Sequence, residues 1–507
     1  MTATTPSTLA RLHGTVAILV ILPTFACGGT DDRRGGPIEV TAPNVRQSQP
    51  VQTIDGFGVN TAWLGAPTDA TARQQVYDAL FSVSQGIGLS MVRHRIPFRE
   101  NPEYDDKFVR KNPDGSYQST TNADGSKSFA LDWSNWDLRN TAEIIADLKK
   151  LGPDYQLTKI ISAPWTPPNN SVSKWKVPDN TTASIDYVDA PEVGGSLDPA
   201  FYADYADLLA DYALGFSANM GTELTALSLQ NEPNFKCDYE SANWTAAQLH
   251  DFMVALEVEF TKKSVFTRLP ELKIIAPEYQ NVKEDLVLPT LADPKTAAVL
   301  GILGVHQYEY GKGRTDGYAV PIMSQALAAG KPVWMTEWSS AEWGADSSMA
   351  NGLLLANLIH MDLTVGQMNA FLYWWGWGDG TNTLLVVDTT TWEVGVPKRA
   401  YVLGHWSRFV RPGYVRIDTD AKPRRDVLLS AFKSPTGDRI IVVAVNASDR
   451  EVSLPLWLDV GAFGPLAVYR TSASADENLA HVGTIDGGSM VTVTLQPASV
   501  STFVSGT

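Results

Sequence analysis

The sequence predicts an α/β protein, a (β/α)8 TIM barrel with a C-terminal β-sandwich side domain. Three observations favour this fold class. Eight short apolar runs alternate with segments of helical periodicity over roughly 350 residues, as is typical of a closed parallel barrel. After about residue 413 the pattern changes to short alternating β runs separated by turn residues. The 507 residues, 44% of them hydrophobic, exceed one ordinary domain and supply a large core.

Each predicted barrel strand is a short apolar run bounded by turn residues. The eight runs are residues 54–60, 90–96, 158–163, 226–231, 273–277, 302–306, 332–336 and 370–375. Two intervening helices have clear start signals. Thr245 and Gln248 fit a capping box, and Asp198 supplies an N-cap before Pro199. An open doubly wound sheet is the alternative, but no glycine-rich phosphate loop follows the first strand.

The predicted domain boundaries follow from this change of pattern. We place the barrel at residues 44–412 and the side domain at residues 413–507. A strand within about residues 37–52 is expected to join the side domain from the N-terminal side. The strands predicted in the side domain itself are residues 427–432, 439–445, 466–469, 490–495 and 500–504. We assign no chemistry to this domain.

Residues 1–27 predict an export signal. A basic segment containing Arg11 precedes an apolar run that is too short for a permanent membrane-spanning helix. The run ends in small residues before Cys27 and resembles a bacterial lipoprotein box, except that Thr24 replaces the usual leucine. We therefore expect a secreted protein, or a cell-envelope lipoprotein if Cys27 is acylated. Residues 28–43 are rich in Gly, Asp and Arg and predict a flexible linker.

The net charge of −16 argues against nucleic acid or an anionic membrane surface as a partner, because both require basic patches. The membrane contact that we expect is a lipid anchor at Cys27, and no other. The histidines show no metal-binding spacing such as His-Glu-x-x-His, so we predict no metal and no cofactor. We expect a monomer.

Polar and aromatic side chains cluster where the predicted strands end. In a barrel of this type, the carboxyl ends of the strands and the loops after them form one shared bowl. Two carboxylates, Glu232 after strand four and Glu337 after strand seven, are therefore expected to face the same space. The other residues placed there are Trp63, Arg93, Trp165, Asn231, His306, Tyr308, Trp374 and Trp375.

This set of side chains suits the cleavage of a glycosidic bond. One carboxylic acid must donate a proton to the leaving oxygen while the other stabilises or attacks the oxocarbenium-like carbon. Aromatic rings would stack on the C–H faces of sugars. From position alone, Glu232 could equally be a helix cap or an ion-pair partner, and His306 a packed histidine. Glu278 also ends a strand and is the best internal rival of Glu232.

Eight motifs occur in order within about residues 38–505. They are GFG at 56–58, GLSMVR at 88–93, APWTPP at 163–168, SLQNEP at 228–233, IIAPE at 274–278, LGVHQY at 303–308, WMTE at 334–337 and FVRPGYVRI at 409–417. Together they resemble glycoside hydrolase family 30, a group of retaining (β/α)8 glycosidases with a β-sandwich side domain. The resemblance implies the same fold and a polysaccharide substrate.

The resemblance also implies a role for each matching residue. Glu232 matches the acid/base and Glu337 the nucleophile. Asn231 matches the residue that binds the sugar 2-hydroxyl, and Arg93 and Tyr308 match residues that contact the nucleophile and would keep it ionised. Trp165 and either Trp374 or Trp375 match the aromatic walls of the sugar site. Trp63 and His306 complete the substrate-binding residues that we predict.

Within the family, the motif at residues 409–417 and the His-Gln-Tyr ending most resemble the xylan-cleaving branch. Its glucuronoxylanases recognise a methylglucuronate branch through an arginine after strand eight, but residues 375–383 contain none. We therefore predict an endo-β-1,4-xylanase and keep three alternatives within the family: a β-1,6-glucanase, a β-1,6-galactanase, or an exo-acting or glucosylceramidase-like enzyme. A non-catalytic carbohydrate-binding protein is the alternative of another class.

Overall fold

The computed structural model describes residues 37–98, 108–168, 176–177, 195–236, 239–308, 320–339, 346–380 and 383–506. The described residues belong to one compact unit. Among them, no helix combines the length and the apolar composition needed to cross a membrane. The predicted export signal at residues 1–27 lies outside the described residues, as does most of the predicted linker.

The secondary structure alternates between strands and helices until α10 and is β-rich afterwards. The first half of the chain forms β1 Val45–Thr53, β2 Gly56–Asn60, α1 Ala70–Phe81, β3 Met91–Ile96, β4 Ser119–Thr121, β5 Lys127–Phe129, α2 Trp136–Leu151, β6 Lys159–Pro164, β7 Lys176–Val177, β8 Ser196–Leu197, α3 Tyr202–Met220, β9 Ala226–Ser228 and α4 Ala246–Lys262. Then follow α5 Val265–Arg268, β10 Lys273–Tyr279, α6 Leu288–Ala292, α7 Pro294–Val299, β11 Leu300–His306, α8 Ser324–Ala328, β12 Val333–Trp338, α9 Met349–Thr364, β13 Ala370–Tyr373, β14 Trp377–Gly378, β15 Leu385–Val387, β16 Val394–Gly395 and α10 Lys398–Ser407. The last strands are β17 Val415–Thr419, β18 Val427–Lys433, β19 Ile440–Asn446, β20 Val452–Trp457, β21 Leu466–Thr471, β22 Ala480–Ile485, β23 Met490–Leu495 and β24 Ser499–Ser505.

Eight parallel strands close into a barrel in the order β2, β3, β6, β9, β10, β11, β12 and β13, with β13 pairing back to β2. The predicted (β/α)8 barrel is thereby confirmed. The fourth strand differs from the prediction because β9 ends at Ser228 and not at Asn231. The chain turns there, and Glu232 adopts a left-handed backbone conformation with φ of 45°. That turn brings the amide of Asn231 and the carboxylate of Glu232 to the rim of the barrel.

The barrel interior is filled in layers, since side chains alternate in direction along each strand. A lower apolar layer contains Met91, Ile161, Ala226, Ile275, Ile302, Trp334, Ala370 and Leu372. Arg93 lies two residues beyond Met91 on β3 and therefore points to the same side, one layer nearer the carboxyl ends. The apolar layer closes the barrel beneath the polar site.

The helices begin where the sequence signals predict. At the start of α4, Thr245 and Gln248 form both hydrogen bonds of a capping box. Asp198 accepts a hydrogen bond from the N–H of Ala200 and begins a short 3-10 turn that leads into α3. These caps satisfy backbone donors that would otherwise be unpaired at the helix starts.

The C-terminal strands form a seven-stranded sheet in the order β1, β17, β18, β19, β24, β21 and β22, faced by the pair β20 and β23. The first strand of the described residues thus belongs to the same sheet as the last ones, through antiparallel pairing of β1 with β17. Every residue of β19 and β24 is buried. Both faces of this sheet are covered because one packs on the strand pair and the other on the barrel helices α9 and α10.

Candidate active site

Arg93 lies at the centre of the bowl and uses all five of its N–H groups. It donates to both carboxylate oxygens of Glu278 at 3.0 Å, to Asn60 and Asn231 at 2.7 Å, and to Glu337 at 3.0 Å. The side chain is fully buried, with 0% exposure. A guanidinium has five donors in a planar fork, so these contacts fix its position completely.

Glu278 is the deepest carboxylate of the site and is also fully buried. It is held by two hydrogen bonds from Arg93 and by one from the Ser228 hydroxyl at 2.5 Å. Burial opposes its ionisation, but Arg93 outweighs burial and keeps the pKa of Glu278 below its usual value. Glycine at position 304 leaves room for it, since a Cβ there would lie 2.7 Å from Cγ of Glu278. Glu278 is thus the counter-ion of Arg93.

Glu337, near the end of β12, receives hydrogen bonds on both oxygens. Arg93 donates to Oε2 at 3.0 Å and the Tyr308 hydroxyl donates to Oε1 at 2.9 Å. Burial raises the pKa of Glu337, while Arg93 and the Tyr308 hydroxyl act in the opposite direction. The carboxylate is therefore oriented by two donors that stabilise its charged form.

Glu232 has fewer stabilising contacts. Its Oε1 lies 3.0 Å from Nδ1 of His306, and its backbone N–H donates to the carbonyl of Glu278. Burial raises the pKa of Glu232 to about 8; Arg93 opposes the shift and the charge of Glu278 adds to it. His306 is itself fully buried, and burial lowers its pKa, which favours the neutral imidazole. Of the two carboxyl groups, Glu232 is the one more readily protonated near neutral pH.

The two carboxylates approach each other closely. An oxygen of Glu232, an oxygen of Glu337 and a ring nitrogen of His306 all lie within 4.8 Å of one another. Three such groups could in principle hold a metal ion. However, Arg93 and Tyr308 already donate to both oxygens of Glu337, and a cation there would be repelled by the guanidinium. The arrangement fits a carboxyl pair better than a metal centre.

Four tryptophans form one side of the bowl. The rings of Trp63, Trp165 and Trp374 meet at centroid distances of 5.0 to 6.2 Å, and Trp375 stacks on Trp374 at 5.1 Å. Trp165 is 3% exposed and packs under the Arg93 guanidinium at 4.9 Å. Trp63 and Trp374 are half-buried, so their rings remain partly open to the bowl. We define these four residues as the tryptophan wall.

A second buried arginine supports this wall. Arg95 donates to Glu240 and to Asp137, and its guanidinium lies 5.2 Å from the centre of the Trp63 ring. The Asp137 carboxylate also accepts a hydrogen bond from the Trp63 backbone. Trp63 has a φ of 56°, an unfavourable conformation for a bulky residue that the surrounding contacts must maintain.

The structure brings all ten predicted site residues together at one end of the barrel; their individual roles stay predictions. The sequence reasoning missed Asn60, which anchors Arg93 and donates to the carbonyls of Thr336 and Tyr373. The sequence reasoning also assigned no role to Glu278. A signal was available in both cases, because each is a polar residue at the end of a buried barrel strand, as Asn231 is.

Comparison with known proteins finds similar sequences and similar structures. No family model matches the chain. The glucuronoxylanase XynC of Bacillus subtilis strain 168 is 29% identical over 354 residues, which are 68% of this chain and 73% of that protein. Among solved structures, the glycoside hydrolase family 30 subfamily 8 xylanase Xyn30A of Clostridium acetobutylicum is 28% identical, with a TM-score of 0.67 over 91% of this chain and 99% of that one. The catalytic domain of the family 30 xylanase C of Talaromyces cellulolyticus, at 23% identity, shares the fold with a TM-score of 0.70 over the same shares.

The pairing of Arg93 with Glu278 predicts a large stability cost for Glu278→Gln. The amide keeps the shape but removes the charge that compensates a fully buried guanidinium, so we expect a loss of about 3 kcal/mol or more in the free energy of unfolding. Urea denaturation measures this loss of unfolding free energy. The control is Asp418→Asn, whose partner Arg46 and own side chain are 26% and 40% exposed; it should cost less than about 1 kcal/mol. Equal losses in the two variants would refute the assigned role of Glu278.

Proposed function

We propose that the chain, a glycosidase of the xylanase branch of glycoside hydrolase family 30, cleaves xylan internally with retention of configuration. The observation that carries the proposal is the pair of buried carboxylates whose oxygens approach within 4.8 Å beside the tryptophan wall. Retaining enzymes have carboxyl groups about 5 to 5.5 Å apart, whereas inverting enzymes need about 6.5 to 9.5 Å to admit a water molecule. The observed spacing favours the retaining mechanism.

In the first step, an oxygen of Glu337 attacks the anomeric carbon while the bond to the leaving oxygen breaks. Glu232 gives its proton to that oxygen, so the shortened polymer leaves as an alcohol and Glu232 becomes a carboxylate. Arg93 and Tyr308 hold Glu337 by its two oxygens and orient it for attack. The product is a covalent glycosyl ester on Glu337.

In the second step, a water molecule replaces the departed chain. Glu232, now ionised, accepts a proton from the water, whose oxygen attacks the anomeric carbon and releases Glu337 as a carboxylate. Glu232 is again protonated and the site is restored. The pKa of about 8 suits both roles, since the group must hold a proton in one step and accept one in the next.

The neighbouring side chains would position the sugar. The Oδ1 atom of Asn231 accepts from Arg93, which orients the amide so that its NH2 group is the part available to a sugar hydroxyl. The partly exposed rings of Trp63 and Trp374 offer apolar faces to the C–H side of a pyranose. A sugar bound by these contacts would place its anomeric carbon near Glu337.

A xylan substrate is supported by the relatives named above. Residues 375–383 contain no arginine, so we propose that the enzyme does not depend on a uronate branch beside its active site. Export of the enzyme is part of the proposal and rests on the sequence of residues 1–27, with acylation at Cys27 as its membrane-bound form.

The two carboxylates should respond differently to amide substitution. We expect Glu337→Gln and Glu232→Gln each to reduce turnover of xylan by several orders of magnitude with the fold intact. On an aryl xyloside with a good leaving group, Glu232→Gln should still form the covalent intermediate because no proton donor is needed, whereas Glu337→Gln should not. Mass spectrometry detects the intermediate. Near-normal xylan turnover by Glu337→Gln would refute its role.

The raised pKa of Glu232 predicts the alkaline limb of the pH profile. The first step requires the protonated acid, which is present below the pKa and lost above it. We therefore expect kcat/KM on xylo-oligosaccharides to fall as the pH rises through about 8. Glu232→Gln, assayed with the activated aryl substrate, should lack this limb. A limb that persists in the variant would assign it to another group.

Product analysis tests the substrate. We expect internal cleavage of linear xylan and of glucuronoxylan at comparable rates, with β-configured products at first by NMR. Cleavage confined to glucuronoxylan would contradict the independence from uronate. If neither xylan is cleaved but a β-1,6-glucan or β-1,6-galactan is, the substrate choice is wrong while the mechanism stands; release of single sugars would indicate exo action. Binding to xylan without cleavage of any of these polymers would indicate a non-catalytic protein.

A further inference from the structure

We propose a second binding site, which takes the carboxylate of a uronic-acid sugar, in a pocket between the barrel and the side domain. The pocket has a volume of about 570 Å³, and its chemistry is dominated by three arginines, Arg408, Arg411 and Arg439. The carboxylate source that we assign is the acidic branch of a xylan chain, and this assignment rests on the proposed function. The pocket and the three arginines that line it are features of the structure and do not depend on that function.

The pocket lies away from the carboxyl pair. Its barrel side is formed by Val83, between α1 and β3, and by Asp154, between α2 and β6. Connections from a helix to the next strand lie at the amino-terminal end of a barrel, whereas the tryptophan wall lies at the carboxyl end. The other side comes from Tyr469 on β21 and from Arg439 beside β19. A ligand here would not obstruct catalysis.

The positive charge of this pocket is only partly offset by the protein, because Asp154 attracts Arg408 and Arg411 and Asp438 attracts Arg439. In the part of the chain that the structure describes, no carboxylate forms an ion pair with Arg408, Arg411 or Arg439. The one acidic lining residue, Asp154, accepts hydrogen bonds from the hydroxyls of Ser82 and Ser84 and from the Ser84 backbone. These neutral donors leave the negative charge of Asp154 in place, so it remains a partial counter-charge for Arg408 and Arg411.

Asp438, the chain neighbour of Arg439, is likewise engaged. Its carboxylate accepts hydrogen bonds from the hydroxyls of Ser434 and Thr436 at 2.6 Å each. Three arginines thus line the pocket with one carboxylate, which leaves an excess of positive charge. This is unexpected in a chain with a net charge of −16, which offers many acidic side chains for pairing.

Arg408 and Arg411 are held in place by hydrogen bonds to backbone carbonyls but retain donors. Arg408 donates to the Ser84 carbonyl at 2.6 Å and packs its guanidinium on the rings of Phe409 and Tyr469. Arg411 uses Nη1 on the carbonyls of Gly88 and Ser407. Nε of Arg439 is buried and has no hydrogen-bond partner in the described structure. An unsatisfied buried donor costs about 1 to 3 kcal/mol.

An oxyanion fits these donors best. Guanidinium groups bind planar carboxylates through paired N–H donors, and burial, which lowers the pKa of Arg408 and Arg411, indicates that both charges lack full compensation. The volume falls within the range of about 300 to 1,000 Å³ that small ligands occupy. Because the net charge of the protein is −16, most of its surface repels an acidic polymer. A pocket with an excess of positive charge is a place where such a polymer can bind.

Isothermal titration calorimetry with methyl β-glucuronoside at low ionic strength tests the proposal. We compare the wild type with Arg439→Gln and Arg408→Gln, and the matched control is Arg450→Gln, an arginine of the side domain that is 54% exposed. Both pocket variants should lose at least about tenfold in affinity, because each removes a charged donor. The control should match the wild type. Methyl β-glucoside, which lacks the carboxylate, should not bind in an arginine-dependent way.

Three results would overturn the inference. The first is unchanged glucuronoside affinity in both pocket variants with intact thermal unfolding. The second is equal, arginine-dependent binding of the uncharged glucoside. The third is arginine-dependent binding of inorganic phosphate that exceeds that of the glucuronoside, which would leave a site for small anions and reject the sugar assignment.

A separate assay distinguishes this inference from the proposed function. On short, uncharged xylo-oligosaccharides, both pocket variants should retain the kcat/KM of the wild type, and on glucuronoxylan they should show a raised KM. If the wild type cleaves no xylan, the proposed function fails while the calorimetric result still decides the site. A KM on glucuronoxylan that does not change in either variant would contradict a role in holding the polymer.

Discussion

The burial of one positive charge constrains the whole carboxyl end of the barrel. Arg93 is fully buried, and a charge in that position is tolerated only if every donor is satisfied and an opposite charge lies close by. Glu278 supplies that charge, and Asn60, Asn231 and Glu337 accept the remaining donors. Because these five side chains come from five different strands or strand ends, their mutual contacts fix the strands relative to each other. Structural and chemical requirements are met by the same hydrogen bonds.

The same charge separates the properties of the two neighbouring carboxyl groups, Glu232 and Glu337. Both are buried, and burial raises the pKa of each. Glu337 accepts directly from Arg93 and Tyr308, whereas Glu232 contacts a histidine that burial keeps neutral. Two carboxylates this close resist simultaneous ionisation, so one proton is shared unequally between them. The difference in hydrogen bonding determines which of them holds it.

The side domain shapes the other end of the molecule. The seven-stranded sheet packs against α9 and α10, and fully buried His405 links α10 to Thr502 and Thr471 of that sheet. Because both faces of the sheet are covered, the side domain and the barrel share one continuous hydrophobic core. Their junction places three arginines around one pocket, at the end of the barrel remote from the carboxyl pair. The two ends can therefore serve different functions without competing for the same strand ends.

The sequence by itself determined the fold class, all eight barrel strands, the helix caps and the carboxyl pair, because periodicity and strand-end residues are local properties that folding keeps. Only the tertiary structure decided which side chains contact one another. Contacts between distant segments decide that Asn60 and Glu278 bind Arg93 and that Trp63 packs on Arg95. They also decide that β9 ends at Ser228, where the chain turns. The pKa of a carboxylate and the position of a buried charge follow from desolvation and from partners far along the chain, which no local pattern contains.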